Sequence, residues 1–282
     1  MNQTPHAEAA AAENTAVLDK LYSTLEGHVQ EGICVAFSGG VDSSLLLMLA
    51  CKAGAKAGIP VHAVTFETRL HPHGDLEEAA EAATAMGALH KTIAVDEFAD
   101  ESILHNPVDR CYRCKKLLFQ TLLAYAEQEG CGYVIDGSNF DDLNAYRPGM
   151  KALKELGIHS PLLELAVTKA QIRSLSAVLG IPAHDKPAAP CLATRLPYGT
   201  RLDFELLERL DQGEKFIRAL GFYNVRLRQH GEITRIEIDR KDFSVFMESA
   251  ETVTGRLKEL GFSYITLDLE GFRSGSMDIH VV

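Results

Sequence analysis

The chain has 282 residues, with 28 Lys+Arg against 39 Asp+Glu and a formal charge of −11. Its 46% apolar and 24% charged composition excludes a wholly disordered chain. The net acidity argues against nucleic acid as a partner, because phosphate neutralisation by Lys and Arg supplies much of that affinity. No stretch approaches the roughly 20 apolar residues of a membrane span. Met1–Asn14 lacks the basic region and apolar core of a signal peptide. These features predict a cytoplasmic protein without a membrane partner. Its six cysteines (Cys34, Cys51, Cys111, Cys114, Cys131 and Cys191) then lie in a reducing compartment, where disulfides are the weaker explanation.

In chain order, residues 1–14 read as a disordered tail and 16–29 as a helix with Val17, Leu18, Leu21, Leu25 and Val29 near helical spacing. Strands are predicted at 33–37, 61–66, 90–95 and 133–136, and helices at 43–57, 76–86 and 115–128. This βα alternation predicts a doubly wound, mostly parallel sheet with helices on both faces and a ligand crevice at the strands' C-terminal ends. A loop-rich stretch follows to Pro190, interrupted by a helix near 169–179. From about 201 the pattern becomes helix (203–220), strands (225–228, 235–238), helix (242–260) and strands (264–267, 276–281), a smaller C-terminal α+β domain. Residues 200–282 carry 12 basic and 15 acidic side chains, a net −3, which leaves −8 for the first 199. Neither half is basic. The expected division is 15–199 for the larger α/β domain and 200–282 for the smaller α+β domain.

The most informative segment is Ser38-Gly39-Gly40-Val41-Asp42-Ser43-Ser44, between an apolar strand and a helix. Two glycines let the backbone turn tightly beside an anion, which the helix's first amides and dipole can hold. Ser38 and Ser43 offer hydroxyls, and Asp42 is placed to cap the helix or help hold Mg2+. A plain turn with a helix cap is the bland alternative; the strand–loop–helix context outweighs it. The segment resembles the loop of the PP-loop pyrophosphatases, which cleave ATP between the α and β phosphates. The Gly-Lys-Ser/Thr of a Walker loop is missing, so γ-phosphate transfer is not favoured.

A second signal is Arg110-Cys111-Tyr112-Arg113-Cys114-Lys115-Lys116, ahead of the 115–128 helix, and a third is Pro190-Cys191-Leu192-Ala193-Thr194-Arg195. Basic neighbours at a helix start favour thiolates. Three thiolates with one open position suit a 4Fe–4S cluster; zinc, a redox pair and cysteines with no shared role are the alternatives. Cys34, Cys51 and Cys131 read as core or incidental.

Together with Asp136–Asp142, Arg147-Pro148-Gly149, Ser160-Pro161-Leu162, Thr168-Lys169 and Leu267–Met277, these segments resemble the LarE family of ATP-dependent sulfur transferases over most of the chain. The resemblance implies adenylation of pyridinium-3,5-biscarboxylic acid mononucleotide, replacement of carboxylate oxygen by sulfur, and a product used for the nickel-pincer cofactor of lactate racemase. It implies ATP with Mg2+ at Ser38, Gly39, Gly40, Asp42, Ser43 and Ser44. It also implies a 4Fe–4S cluster on Cys111, Cys114 and Cys191, or else sacrificial sulfur donation by Cys191 alone. Substrate contacts from Arg195, Arg226 and Arg228 are implied, with the last two alternating on one strand face. Glu214 and Glu237, with Asp242 less surely aligned, are implied at a divalent-metal or substrate site. Expected partners are a sulfur donor, a downstream nickel-insertion protein and further copies of the chain, as in the hexamers that family members form. A tRNA thiolation enzyme and a nucleotide-binding regulator are the rival functions. His71, His73, His230 and His280 form no ligand spacing.

Overall fold

A computed structural model describes residues 5–71, 75–144, 147–182, 191–273 and 275–278. Helix α1 (Pro5–Val29) runs through most of the stretch expected as tail. The reason is local: alanine has the highest helix propensity and needs no apolar face to support it. Then come β1 (Ile33–Ala36), α2 (Val41–Ala57), β2 (Val61–Glu67), α3 (Asp75–Ala85) and β3 (Leu89–Ala94). The short α4 (Glu101–Leu104) precedes α5 (Arg110–Gln128) and β4 (Tyr133–Ile135). The loop-rich stretch holds α6 (Gly149–Glu155) and α7 (Pro161–Glu164) as well as the expected helix, α8 (Lys169–Val178). Beyond it lie α9 (Phe204–Ala219), β5 (Val225–His230), β6 (Ile233–Ile238), α10 (Phe243–Glu248), α11 (Ala250–Glu259) and β7 (Tyr264–Leu267).

The chain divides into two compact units that interleave in sequence. One comprises Met1–Glu67, Gly74–Val95 and Cys111–Lys186; the other comprises Thr68–His73, Asp96–Arg110 and Pro187–Val282.

The first unit is the expected α/β fold. Its sheet has the order β3-β2-β1-β4, and every pairing is parallel. Alternation along the strands sends Ile33, Val35, Val61 and Ala63 to a core shared with Leu21, Leu25, Leu46, Ile172 and Leu175. Cys34, Val64 and Val134 pack on the opposite face against Leu118, Leu122, Leu153 and Ile158. Both faces are therefore covered, as an all-parallel sheet requires. The chain leaves β1 towards β2 and β3, then returns to the other side of β1 as β4. That reversal puts a topological switch point between the C-terminal ends of β1 and β4, where open α/β sheets bind ligands.

The second unit holds a mixed sheet of order β5-β6-β7, antiparallel then parallel. The helix expected over 242–260 is divided: α10 ends at Glu248, Ser249 caps it, and α11 begins at Ala250. Residues 275–277 form a turn rather than the expected strand, and 279–281 lie outside the described residues. Among the described residues no helix is long and apolar enough to cross a membrane.

Gly54 of α2 sits where a Cβ would come within 2.6 Å of the Ile59 carbonyl oxygen and 2.9 Å of Val61. Gly27 of α1 has nothing within 4 Å of that position. Gly54→Ala should destabilise by about 1–3 kcal/mol through overpacking, whereas Gly27→Ala should stabilise by about 0.5–1 kcal/mol through helix propensity. Paired urea melts read both signs.

Candidate functional site

The loop between β1 and α2 occupies the switch point. The Phe37 amide continues the ladder by donating to Val64 O (2.8 Å), and the Thr65 hydroxyl donates to Phe37 O (2.8 Å). The chain then turns at Gly39, whose φ of +70° is a left-handed conformation costly to residues with a Cβ. Three weak bonds shape the turn. Ser38 N–H donates to Ser43 Oγ (3.3 Å), Ser43 Oγ donates to Gly40 O (3.1 Å), and Gly40 N–H donates to Ser38 Oγ (3.4 Å). Gly40 is the N-cap of α2 and makes no side-chain cap bond, so among the described residues the N-cap leaves the first-turn amides open. Uncapped amides at the positive end of a 17-residue helix are an anion cradle. The Ser44 amide is already spent on Gly40 O (2.9 Å).

Asp42 is not the helix cap. Its carboxylate accepts from Asn139 Nδ2 (3.2 Å) and forms a short ion pair with Lys169 Nζ. Lys169 opens α8, where its backbone N–H donates to Asp141 (2.6 Å) and Thr168 caps the helix in a reciprocal box with Gln171. Asp136, at the end of β4, is buried and accepts from Ser160 Oγ (2.5 Å), Ser138 Oγ (2.7 Å) and Lys115 Nζ (3.3 Å). A Cβ on the next residue, Gly137, would lie 3.1 Å from the Ser43 amide nitrogen and 3.2 Å from the Asp42 Cβ. The β4 loop thus packs directly on the first turn of α2.

All six cysteines are described and none is in a disulfide. Cys34 and Cys51 are core residues, as expected. Burial pushes the Cys34 thiol well up, raises Cys51 to about 11 and raises Cys131 as well. Cys111 and Cys114 are half-buried and lie within the first turns of α5, which starts at Arg110 rather than at Lys115. Three residues apart on one helix, they share a face. Both belong to the first unit, and Cys191 belongs to the second. Cys191 is half-buried and is the N-cap of a short 3-10 helix, Leu192–Arg195. Three soft thiols are a suitable donor set for an iron–sulfur cluster. Among the described residues, no three His, Cys, Asp or Glu side chains gather at a metal-sized centre.

The expected arginines and glutamates of the second unit are not solvated. Arg195 and Glu214 are both fully buried and form a two-point pair, with Nε–Oε1 and Nη2–Oε2 each 2.8 Å. Glu214 also accepts from Arg218 (2.7 Å) and the Leu227 amide (3.0 Å), and Arg226 lies 4.0 Å away. Burial pushes the Glu214 carboxyl up, but the guanidinium groups of Arg195 and Arg226 and the Leu227 amide outweigh it. They hold it below the usual carboxylate range. Burial, then the charge of Arg195, pulls Arg226 down to about 10. Glu237 accepts from Ser276 Oγ (2.6 Å), Arg235 (2.9 Å) and Arg228 (3.1 Å). Arg228 also donates to Thr194 O (2.8 Å). A divalent cation at either glutamate would compete with these guanidinium groups. Asp242 closes the 3-10 turn Arg240–Asp242. His71 bonds Thr68 (2.6 Å) and burial lowers the His230 pKa, while His73 and His280 lie outside the described residues.

Comparison with known proteins places this architecture. The PP-loop domain family matches residues 12–104. The uncharacterized protein slr1717 of Synechocystis is 40% identical over 246 residues, covering 86% of this chain and 91% of its own. The pyridinium-3,5-bisthiocarboxylic acid mononucleotide synthase of Lactiplantibacillus plantarum is 36% identical over 246 residues, covering 87% and 88%. The chain belongs to the LarE family. The tRNA-specific 2-thiouridylase MnmA of Xanthobacter autotrophicus matches at 28% over only 55% of this chain and 49% of its own.

Within this LarE-family chain, Asn139, Asp136 and Lys169 join the loop although the sequence reading gave them no role. The available signal was position, since Asp136 and Asn139 directly follow β4, at the C-terminal edge where ligands bind. Glu214 supplies a measurable prediction. Because its folded pKa is depressed, its contribution is fully present above the unfolded value of about 4.3 and is lost as pH falls through the folded value. Glu214→Gln should cost about 3–5 kcal/mol at neutral pH by stranding buried Arg195. Denaturant midpoints should differ most at pH 7 and converge with wild type as the pH drops below 4.

Proposed function

We propose that this protein is an ATP-dependent sulfurtransferase acting on pyridinium-3,5-biscarboxylic acid mononucleotide, with the bisthiocarboxylic product serving nickel-pincer cofactor synthesis. The observation that carries the reading is the 36% identity across 88% of a synthase named for that product. The anion cradle at the PP-loop supports it.

In this reading the first-turn amides of α2, with Gly39, Gly40, Ser38 and Ser43, hold the pyrophosphate portion of ATP. Ser44 contributes through its side chain, since its amide is committed. Attack by a substrate carboxylate at the α-phosphorus releases pyrophosphate and leaves an acyl adenylate; a sulfur nucleophile can then attack its acyl carbon, forming the C–S bond and expelling AMP. Mg2+ would sit on the phosphates, where it neutralises charge while keeping several waters; Asp42 can join it once Lys169 exchanges its carboxylate partner for phosphate. Cys111, Cys114 and Cys191 would hold the 4Fe–4S cluster. Such a cluster, when bound, offers a renewable sulfide at its open iron. Arg226 and Arg228 supply cationic attraction for the anionic mononucleotide, and Glu214 and Glu237 are assigned to anchoring those arginines rather than to a metal.

Two experiments test this reading. The purified protein should release pyrophosphate from ATP only when the biscarboxylic mononucleotide is present. Gly39→Ala should raise the KM for ATP several-fold, because a Cβ at this left-handed position costs about 1–2 kcal/mol. Release without substrate, or stimulation by tRNA instead, would contradict the proposed substrate. Anaerobically prepared protein should contain iron and sulfide and make more than one product per chain. One sulfur transferred per chain (two chains consumed per bisthiocarboxylic product), no iron, and a mass lower by one hydrogen sulfide would replace the cluster with sacrificial Cys191.

A further inference from the structure

The backbone of Cys191 is held by more bonds than a short 3-10 turn supplies. Its carbonyl oxygen accepts from the Thr194 amide (3.1 Å), the Thr194 hydroxyl (2.8 Å) and Arg195 Nη1 (3.1 Å). Arg195 Nη1 also bonds Thr194 Oγ1 (3.0 Å), so the two side-chain donors brace each other. At the other end of the same peptide group, the Leu192 amide donates to the carbonyl of the fully buried Leu70 (2.7 Å). The Arg195 guanidinium is itself immobile, because two of its nitrogens are locked onto Glu214 and neither side chain has any solvent exposure.

An arginine in this state is poorly suited to gripping a diffusing anion. It would have to abandon a buried two-point bond to Glu214 and carry its own charge away from that counter-charge. The same arginine is well suited to holding a neighbouring backbone group, since a charge-assisted bond from an immobile donor costs no further ordering. We propose that Arg195, braced by Glu214 and Thr194, is a positioning residue that fixes the Cys191 peptide, and does not bind substrate. With the peptide group that follows Cys191 pinned at both its carbonyl and its amide, fewer backbone orientations are open to the thiol. A reacting atom held this way keeps the orientation on which rate depends steeply. The proposal rests on the reading of Cys191 as a sulfur-handling residue only for its kinetic consequence; the pinning itself stands apart from it.

The test compares Arg195→Met with Thr194→Val, which keeps the Arg195–Glu214 pair, and with Thr194→Ser, which keeps the hydroxyl. Hydrogen exchange of the 192–196 amides should accelerate about tenfold in Thr194→Val and more in Arg195→Met, and remain at wild-type rates in Thr194→Ser. In single-turnover sulfur transfer, both disruptive variants should lower the rate at least about tenfold with the mononucleotide KM unchanged, while Thr194→Ser rescues it. A raised mononucleotide KM at full rate would make Arg195 a substrate ligand and overturn the proposal. So would unchanged 192–196 exchange in Thr194→Val, which decides the matter if Arg195→Met does not fold. If wild-type protein transfers no sulfur, the functional reading fails, and the exchange result alone judges the pinning.

Discussion

A parallel sheet releases every strand on the same side, and in this chain the loop leaving β1 emerges between neighbours reached in opposite directions. The first turn of α2 therefore begins at the place where the sheet opens a crevice. The left-handed turn at Gly39 aims that helix's uncapped end into the crevice, and the remaining groups of the loop are arranged around it. Gly137 packs on it without a side chain, Asn139 and Lys169 meet its Asp42, and Asp136 ties the adjacent loop to Lys115 on α5. An anion at that end faces backbone dipoles that need no reorganisation. Asp42, the carboxylate of that first turn, already has a lysine to offset its charge.

The second unit solves a different electrostatic problem. Arg195, Arg226 and Arg228 are almost completely buried, and each is costly there without a counter-charge. Glu214 and Glu237 supply that charge, and each is fully buried as well. Cross-strand pairing places Arg226 opposite Glu237 and Arg228 opposite Arg235, so charges of one strand meet those of the next in fixed register. The glutamates are outnumbered by the guanidinium groups around them. The cluster therefore remains cationic inside an acidic protein, which agrees with an anionic mononucleotide as the ligand of a LarE-family enzyme.

Much of this was legible because local patterns agreed with the global fold. The strand–Ser-Gly-Gly–helix pattern located the anion cradle, and the βα alternation foretold the sheet. What remained hidden depended on pairings distant in sequence. Nothing near Asp42 announces that its partner lies 127 residues away at Lys169. The alternation of Arg226 and Arg228 correctly put them on one face. It said nothing of whether that face was wet, because burial depends on α9 and its Glu214. The helix start at Arg110 was missed for a local reason: a polar, basic first turn carries no apolar period. The alanine-rich stretch was read as tail because periodicity detects faces, whereas alanine forms helix by propensity alone.

The interleaving of the two units bears on how this chain can be taken apart. The polypeptide passes between them five times, once within α5, where Arg110 belongs to one unit and Cys111 to the other. No single cut can therefore liberate either unit with all its segments. A fragment ending before residue 187 would lack the mixed sheet yet still carry the 68–73 and 96–110 segments stripped of their partners. A ribosome must likewise complete almost the whole chain before the second unit has all its parts. The nucleotide-binding half can assemble earlier, holding the orphaned segments in waiting.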